Sequence, residues 1–278
     1  MKISEERKEG LNKISKNGIF TITALDHRES LKKIINPKNP NSVSFEDMRK
    51  IKSEFIRIFS PYSSGLILDT EIGIKACPDR LKTGLLISIE KSGYKEGNGR
   101  ITELITSVNE IKRMGDVVKL LIYYNPDRKS SKKQFSLVKN VFDDCIKYEI
   151  PLACEILTYD IEDKESIIVG IAKKFSKVSD ILKLEFPGEI DNSINDLLKN
   201  CRDVDNASKV PWVVLSRGVG YEIFKKQVEI AIRSGASGFM AGRALWKDWL
   251  KDKNEKECVD RLKNLCKIAE NGVKWYER

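Results

Sequence analysis

Eight short apolar runs, separated by stretches of helical period, constrain this chain more than any other feature of it. The runs cover positions 18–25, 65–68, 84–89, 117–123, 152–157, 181–186, 212–215 and 238–241. They are rich in Ile, Val, Leu and aromatic residues and bounded by Gly, Pro or polar residues, the signature of buried strands. Between them, apolar residues recur at helical spacing. Met48, Ile51, Phe55 and Ile58 fall on one face, as do Ile101, Leu104, Ile105, Val108 and Ile111. The pattern repeats in Phe135, Val138, Val141, Phe142 and Cys145, and again in Ile167, Ile168, Ile171 and Phe175. It continues in Ile194, Leu197 and Cys201, in Ile223, Phe224, Val228 and Ala231, and in a C-terminal helix carrying Val259, Leu262, Leu265, Cys266 and Ala269. Strands that alternate with helices make parallel β/α units. Eight units in 278 residues predict one domain over 1–278, a single (β/α)8 TIM barrel with an extra N-terminal and an extra C-terminal helix. An open, nucleotide-binding sheet would carry a glycine-rich turn after its first strand, but that turn reads Asp26-His27-Arg28-Glu29-Ser30. The interval 70–83, which contains Pro78, shows no clear helix.

Composition narrows the function classes. Hydrophobic residues make up 41% and charged residues 33%, which fits a globular protein rather than a disordered one. No run approaches the ~18 apolar residues of a transmembrane helix, and the N-terminus lacks the apolar core of a secretory signal. The net charge of +9 is spread along amphipathic segments with acids interleaved, so a lysine-rich solvated surface is expected rather than nucleic-acid binding. Six cysteines form no C-x-x-C pair, and Cys145, Cys201 and Cys266 occupy apolar helix positions as small hydrophobes. A cytoplasmic location is expected on that basis. His27 is the only histidine, so a three-histidine metal site is excluded, and chemistry without a metal or other cofactor is expected.

Charged residues inside buried strands are costly and call for a reason. In the sixth run, Ile181-Leu182-Lys183-Leu184-Glu185-Phe186, side chains alternate. Lys183 and Glu185 share the face opposite Leu182, Leu184 and Phe186, which places Lys183 in the barrel. By the same alternation Lys119 points away from Val118, Leu120 and Ile122 in the fourth run. Glu155 lies in the middle of the fifth, and the first strand ends at Asp26. Neighbouring strands four, five and six thus direct Lys, Glu and Lys to one cavity, either as catalytic groups or as a buried ion network that only holds the strands together; charge near the C-terminal end of a barrel strand favours the first. A lysine amine whose proton affinity is lowered by burial and a second cation attacks ketones to form a Schiff base, and a carboxylate must then move protons, for which Glu155 is the candidate.

The loops after strands seven and eight form the usual phosphate site of such barrels. Here they read Ser216-Arg217-Gly218-Val219-Gly220 and Ala241-Gly242-Arg243-Ala244. Gly218 and Gly242 permit close backbone approach, and Arg243 offers a bidentate fork to phosphate oxygens. Arg217 reads equally well as a surface residue.

The chain resembles the class I tagatose-1,6-bisphosphate aldolases and the related sulfofructose-phosphate aldolases. The stretches that carry the likeness include Ala24-Leu25-Asp26-His27-Arg28-Glu29, Ile89-Glu90-Lys91-Ser92-Gly93-Tyr94, Lys119-Leu120-Leu121 and Glu155-Ile156-Leu157-Thr158-Tyr159-Asp160. It continues through Leu182-Lys183-Leu184-Glu185-Phe186-Pro187, Leu215-Ser216-Arg217-Gly218-Val219 and the stretch 235–246. That family has glutamine where His27 stands and a small residue where Arg217 stands. The resemblance implies that Lys183 is the Schiff-base lysine, that Glu155 transfers protons and that Lys119 tunes or orients the site. It further implies that Asp26 contacts substrate hydroxyls or relays a proton. Ser216, Gly218, Gly242 and Arg243 would hold a C1 phosphate, and Arg28 would face the other end of the substrate. The expected activity is cleavage of a ketohexose 1-phosphate bearing a second anionic group at C6, either phosphate or sulfonate, into dihydroxyacetone phosphate and a three-carbon aldehyde. The expected partner is therefore a small sugar phosphate, with no nucleic acid and no membrane. A homo-oligomer is left open, with Trp275 and Tyr276 as a candidate contact. Two other readings compete: a sugar-phosphate isomerase or decarboxylase in which Lys183 is only a charge, and a non-catalytic barrel that binds a sugar phosphate and regulates a partner.

Overall fold

The computed structural model describes residues 3–78 and 81–278. Eight parallel strands close on themselves in sequence order: β1 (Phe20–Ala24), β2 (Gly65–Asp69), β3 (Gly84–Ser88), β4 (Val117–Tyr124), β5 (Leu152–Thr158), β6 (Ile181–Leu184), β7 (Trp212–Leu215) and β8 (Gly238–Ala241). Closure is made by β8, which pairs β7 on one side and β1 on the other, with Phe20 opposite Gly238. The expected (β/α)8 TIM barrel is therefore the observed fold, and the predicted strands lie within one or two residues of the observed ones.

Strand alternation sorts the side chains into two cores. Leu66, Leu68, Val118, Leu120, Ile122, Leu182 and Leu184 face outward against the helices. Ile22, Ile67, Leu86, Val117, Ala153, Ile181, Val213 and Met240 face inward. The helix Glu5–Lys13 plugs the N-terminal mouth of the barrel. Its Leu11, with Ile14 just beyond, joins the inward cluster, and its buried Arg7 pairs with the buried Asp180 that precedes β6. Among the described residues the lower half of the barrel is thus filled by apolar side chains.

Two elements differ from expectation. The helical face read from Ile101 to Ile111 is a helix only over Val108–Lys112. Ser107 and Glu110 form a reciprocal capping box that starts it there. Upstream, Ile101 pairs antiparallel with Lys95, and Leu104 with Glu90, so 90–104 folds back along itself over the barrel mouth. In the interval 70–83, where no helix was legible, a single turn spans Gly73–Ala76. It forms because the fully buried Asp69 takes the backbone N–H groups of Glu71, Ile72 and Gly73. Asp69 in turn pairs with Lys52, which is also fully buried and donates to the carbonyl of Leu25 at 2.7 Å. The remaining helices begin largely at side-chain caps, among them Ser44, Asp163, Ser193 and Asn254.

The last residues also settle inward. Trp275 is buried against the barrel's own base and donates to Ser15, while Tyr276 stays exposed. Trp275, expected as a candidate oligomer contact, is thus occupied within its own chain. Cys145 and Cys201 are fully buried as expected, and Cys266 partly so.

Candidate active site

Two residues along each inward face, the apolar plug gives way to charge. Val117 is followed by Lys119, Ala153 by Glu155, Ile181 by Lys183 and Leu86 by Ser88. A step of two residues keeps a side chain on the same face of a strand. The parallel register then sets Glu155 directly beside Lys183 across the β5–β6 pair and Ser88 beside Lys119 across β3–β4.

The groups meet in one cavity of about 340 Å³ at the C-terminal ends of the strands. Lys183 Nζ donates to Glu155 Oε2 at 2.8 Å, and Lys119 Nζ stands 3.1 Å from the same oxygen. Lys119 also donates to Asp26 Oδ2 at 2.8 Å and to Glu90 Oε1 at 2.6 Å. Ser88 Oγ donates to Asp26 Oδ2 at 2.9 Å. Two ammonium groups and three carboxyl groups therefore share one buried network.

Ser216, Gly218, Gly242 and Arg243 line the far wall of the same cavity. Gly218 adopts φ +87°, and a Cβ there would lie 2.7 Å from the Arg243 guanidinium carbon, so the absent side chain makes room for that arginine. On the opposite side Arg28 is buried, donating to Glu71 at 2.7 Å and to the carbonyl of Glu90 at 2.8 Å, with Nε unpartnered. Its expected exposure to the substrate's other end is thus limited by two contacts within the chain. His27 packs edge-on against Trp246, with ring centroids 5.1 Å apart, and its Nδ1 lies 3.8 Å from Asp26 Oδ1, too far for a hydrogen bond.

All nine sequence-predicted site residues therefore line this cavity: Asp26, Arg28, Lys119, Glu155, Lys183, Ser216, Gly218, Gly242 and Arg243. Glu90, two residues beyond β3, was missed as a member of the network. The available signal was an acid two residues past a buried strand, the same position Asp26 holds after β1. Glu185 does not share the cavity with Lys183. It follows the last residue of β6, and its carboxylate turns to Thr158 and Arg217 instead.

The family model for DeoC/LacD family aldolases matches residues 20–248, which includes every strand of the barrel. The chain belongs to the DeoC/LacD aldolase family. Among curated proteins it is similar to tagatose 1,6-diphosphate aldolase of Listeria monocytogenes, 28% identical over 330 aligned positions covering 100% of this chain and 96% of the relative. It is also similar to tagatose 1,6-diphosphate aldolase 1 of Streptococcus pyogenes, 29% identical over 88% of this chain and 86% of that protein. An archaeal fructose 1,6-bisphosphate aldolase has the same fold, with TM-score 0.72 at 18% identity, covering 96% of this chain and 100% of that one. The resemblance to tagatose-bisphosphate aldolases drawn from sequence motifs is borne out.

In this aldolase, burial and neighbouring charge assign different states to the acids. Burial works to raise the Asp26 carboxyl, but Lys119, with His27 and Lys183, holds it well below the usual range. Glu155 is likewise lowered, because Lys119 and Lys183 together outweigh its burial. Glu90 goes the other way: burial pushes it up, and Lys119 offsets this only in part. Lys119 is held well above its ordinary value, since Asp26, Glu155 and Glu90 overcome its desolvation. Burial, reinforced by Arg243 and Lys183, pulls His27 down to about 4, so its ring is neutral at neutral pH. Lys119 is thus a fixed cation, Asp26 and Glu155 are ionised, and Glu90 is the acid that retains its proton most readily. No group of three or more His, Cys, Asp or Glu side chains is arranged to hold a metal ion among the described residues, and none of their helices is long and apolar enough to cross a membrane.

Proposed function

We propose that this aldolase works through a Schiff base on Lys183 and cleaves a ketohexose 1-phosphate with a second anionic group at C6. The products are dihydroxyacetone phosphate and a three-carbon aldehyde. The observation that carries the reading is Glu155 Oε2, which stands 2.8 Å from Lys183 Nζ and 3.1 Å from Lys119 Nζ inside the closed barrel.

In this reading Glu155 moves each proton. Glu155, ionised and in contact, takes the proton of the Lys183 ammonium, and the free amine adds to the C2 carbonyl of the substrate. Glu155 returns that proton to the carbinolamine hydroxyl, which leaves as water, and an iminium remains. Glu155 then accepts the proton of the C4 hydroxyl. The C3–C4 bond breaks, its electron pair moves into the iminium, and the aldehyde departs. The resulting enamine takes the proton back at C3, and water hydrolyses the iminium to dihydroxyacetone phosphate and the Lys183 ammonium. Lys119 stays charged throughout. It is held by three carboxyl groups and so keeps Glu155 ionised and in place between steps. Asp26, ionised at the same ammonium, is the acceptor for a substrate hydroxyl.

Ser216, Gly218, Gly242 and Arg243 take the C1 phosphate. Arg28, with Lys33 and Lys91 on the same rim, faces the C6 anion. The tagatose 1,6-diphosphate aldolases to which the chain is similar support a bisphosphate over a sulfonate at C6. Borohydride reduction in the presence of dihydroxyacetone phosphate tests the mechanism. A permanent adduct on Lys183, located by peptide mass mapping, is the expected result, and an adduct elsewhere or none refutes it. Lys183→Arg keeps the charge but cannot form an imine, so cleavage must vanish. Turnover surviving that change would favour an isomerase or decarboxylase in which Lys183 is only a cation.

A further inference from the structure

The phosphate loop after β7 contains a residue that polypeptide chemistry does not favour there. Arg217 stands between Ser216 and Gly218, both on the cavity wall, and its backbone lies in the left-handed region at φ +45°. A residue with a Cβ adopts that conformation only when its surroundings hold it. The turn is closed by the Val219 N–H, which donates to the carbonyl of Ser216 at 3.0 Å, and the Arg217 side chain ties that turn to the barrel. Its Nη1 donates to Glu185 Oε2 at 2.5 Å, and its Nη2 donates to the carbonyl of Thr158 at 2.8 Å. Glu185 is itself fixed: its side chain is 1% exposed, and it accepts from the Thr158 backbone N–H at 3.1 Å and from the Thr158 hydroxyl at 2.7 Å. Four hydrogen bonds thus tie the end of β5, the end of β6 and the β7 loop together. The planar fork of an arginine makes the two outer bonds at once, which a lysine cannot do.

We infer that Arg217 is a positioning residue for the phosphate loop, acting through Glu185 and Thr158 rather than by touching the phosphate. The inference rests on the aldolase reading above and adds the device that presets its phosphate subsite. Its consequence is geometric. The clamp fixes the peptide units on either side of Arg217, and so sets where Ser216 and the N–H of Gly218 sit against Arg243. Donors preset toward an anion bind it without an ordering cost, and donors on a loose loop do not. The clamp therefore selects for the phosphorylated end of the donor and is indifferent to the ketone chemistry at Lys183. The Arg217 side chain itself lines the cavity and is 45% exposed, so a direct contact with phosphate is the competing role that the test must separate.

Borohydride trapping at Lys183 is the readout, measured against the concentration of dihydroxyacetone phosphate and, separately, of unphosphorylated dihydroxyacetone. In the unaltered enzyme the phosphorylated donor is expected to half-saturate trapping at the lower concentration. Arg217→Gly accepts the left-handed backbone without strain and removes the clamp. We expect it to shrink the advantage of the phosphorylated donor roughly tenfold, the effect of losing a charge-assisted hydrogen bond. Glu185→Gln, which leaves Arg217 present but loosens its anchor, is expected to shrink it in the same direction, and Arg217→Lys is expected to fall between. If Glu185→Gln keeps or enlarges the phosphate advantage while Arg217→Gly loses it, Arg217 is a phosphate ligand and the positioning role is overturned. If both Arg217 variants keep the full advantage, the clamp has no such role; this arm needs no folded Glu185 variant. Absence of any Lys183 adduct in the unaltered enzyme would instead overturn the aldolase reading, and the clamp with it.

Discussion

At the scale of single residues, the site works by giving chemically similar groups unequal surroundings. Asp26, Glu90 and Glu155 all touch Lys119, yet Asp26 and Glu155 are lowered and Glu90 is raised. His27 offers the cleanest check of these fields because it is the only histidine in the chain. Its imidazole C–H resonances should titrate near pH 4 in the folded protein, and a midpoint near 6.5 would refute the assigned environment. The sign for stability follows. The unfolded chain takes up this proton first as the pH falls, so the fold loses stability between pH ~6.5 and ~4. The full shift corresponds to about 3 kcal/mol, an upper bound because a fifth of the side chain meets solvent. The roles of Lys183, Lys119 and Glu155 were legible as charges where a buried strand should be apolar. Glu90 and the anchoring of Arg217 were not, because each sits beyond a strand end, where no period assigns a side chain to a face.

At the scale of elements, period two places the site and period 3.6 builds its shell. The inward face of β4, β5 and β6 is apolar at Val117, Ala153 and Ile181 and ionic two residues later, so one strand both plugs the barrel and arms it. Period 3.6 failed at 101–111, where apolar residues of a folded-back loop fell by chance on helical spacing and the capping box at Ser107 fixed the true start. Closure of the sheet depends on a glycine. Gly238 has φ +137°, and a Cβ there would lie 1.9 Å from the carbonyl oxygen of Phe20, its neighbour across the β8–β1 pair. Gly238→Ala is expected to cost about 3 kcal/mol or more in denaturant unfolding, with a loss under 1 kcal/mol counting against this account of closure.

At the scale of the whole molecule, stability and activity are divided between the two ends of one barrel. The Arg7–Asp180 pair and the Leu11 plug lie at the N-terminal mouth, away from the Lys183 network at the C-terminal ends. Arg7→Ala strands the buried Asp180 carboxylate and should destabilise the fold by about 3–5 kcal/mol. The loss should deepen as pH rises above the ordinary aspartate range, because the unfolded chain then ionises Asp180 freely while the folded one resists. Turnover of the folded fraction should be unchanged, and a matching drop in that turnover would show that the two ends are coupled. The net charge of +9 adds a long-range term, so kcat/KM for a doubly anionic substrate should fall with ionic strength.

The sequence by itself determined the alternation of strand and helix, the closed barrel this implies, and which strand residues face inward, since these are consequences of local backbone geometry repeated along the chain. Only the tertiary structure decided which charges meet. Lys119 gathers three carboxyl groups, from β5 and from just beyond β1 and β3, and Arg217 finds Thr158 at the end of β5 and Glu185 just beyond β6. Such contacts depend on register and on the path of loops after the strands end, and those are fixed by packing across the whole barrel rather than by the spacing of residues within any one segment.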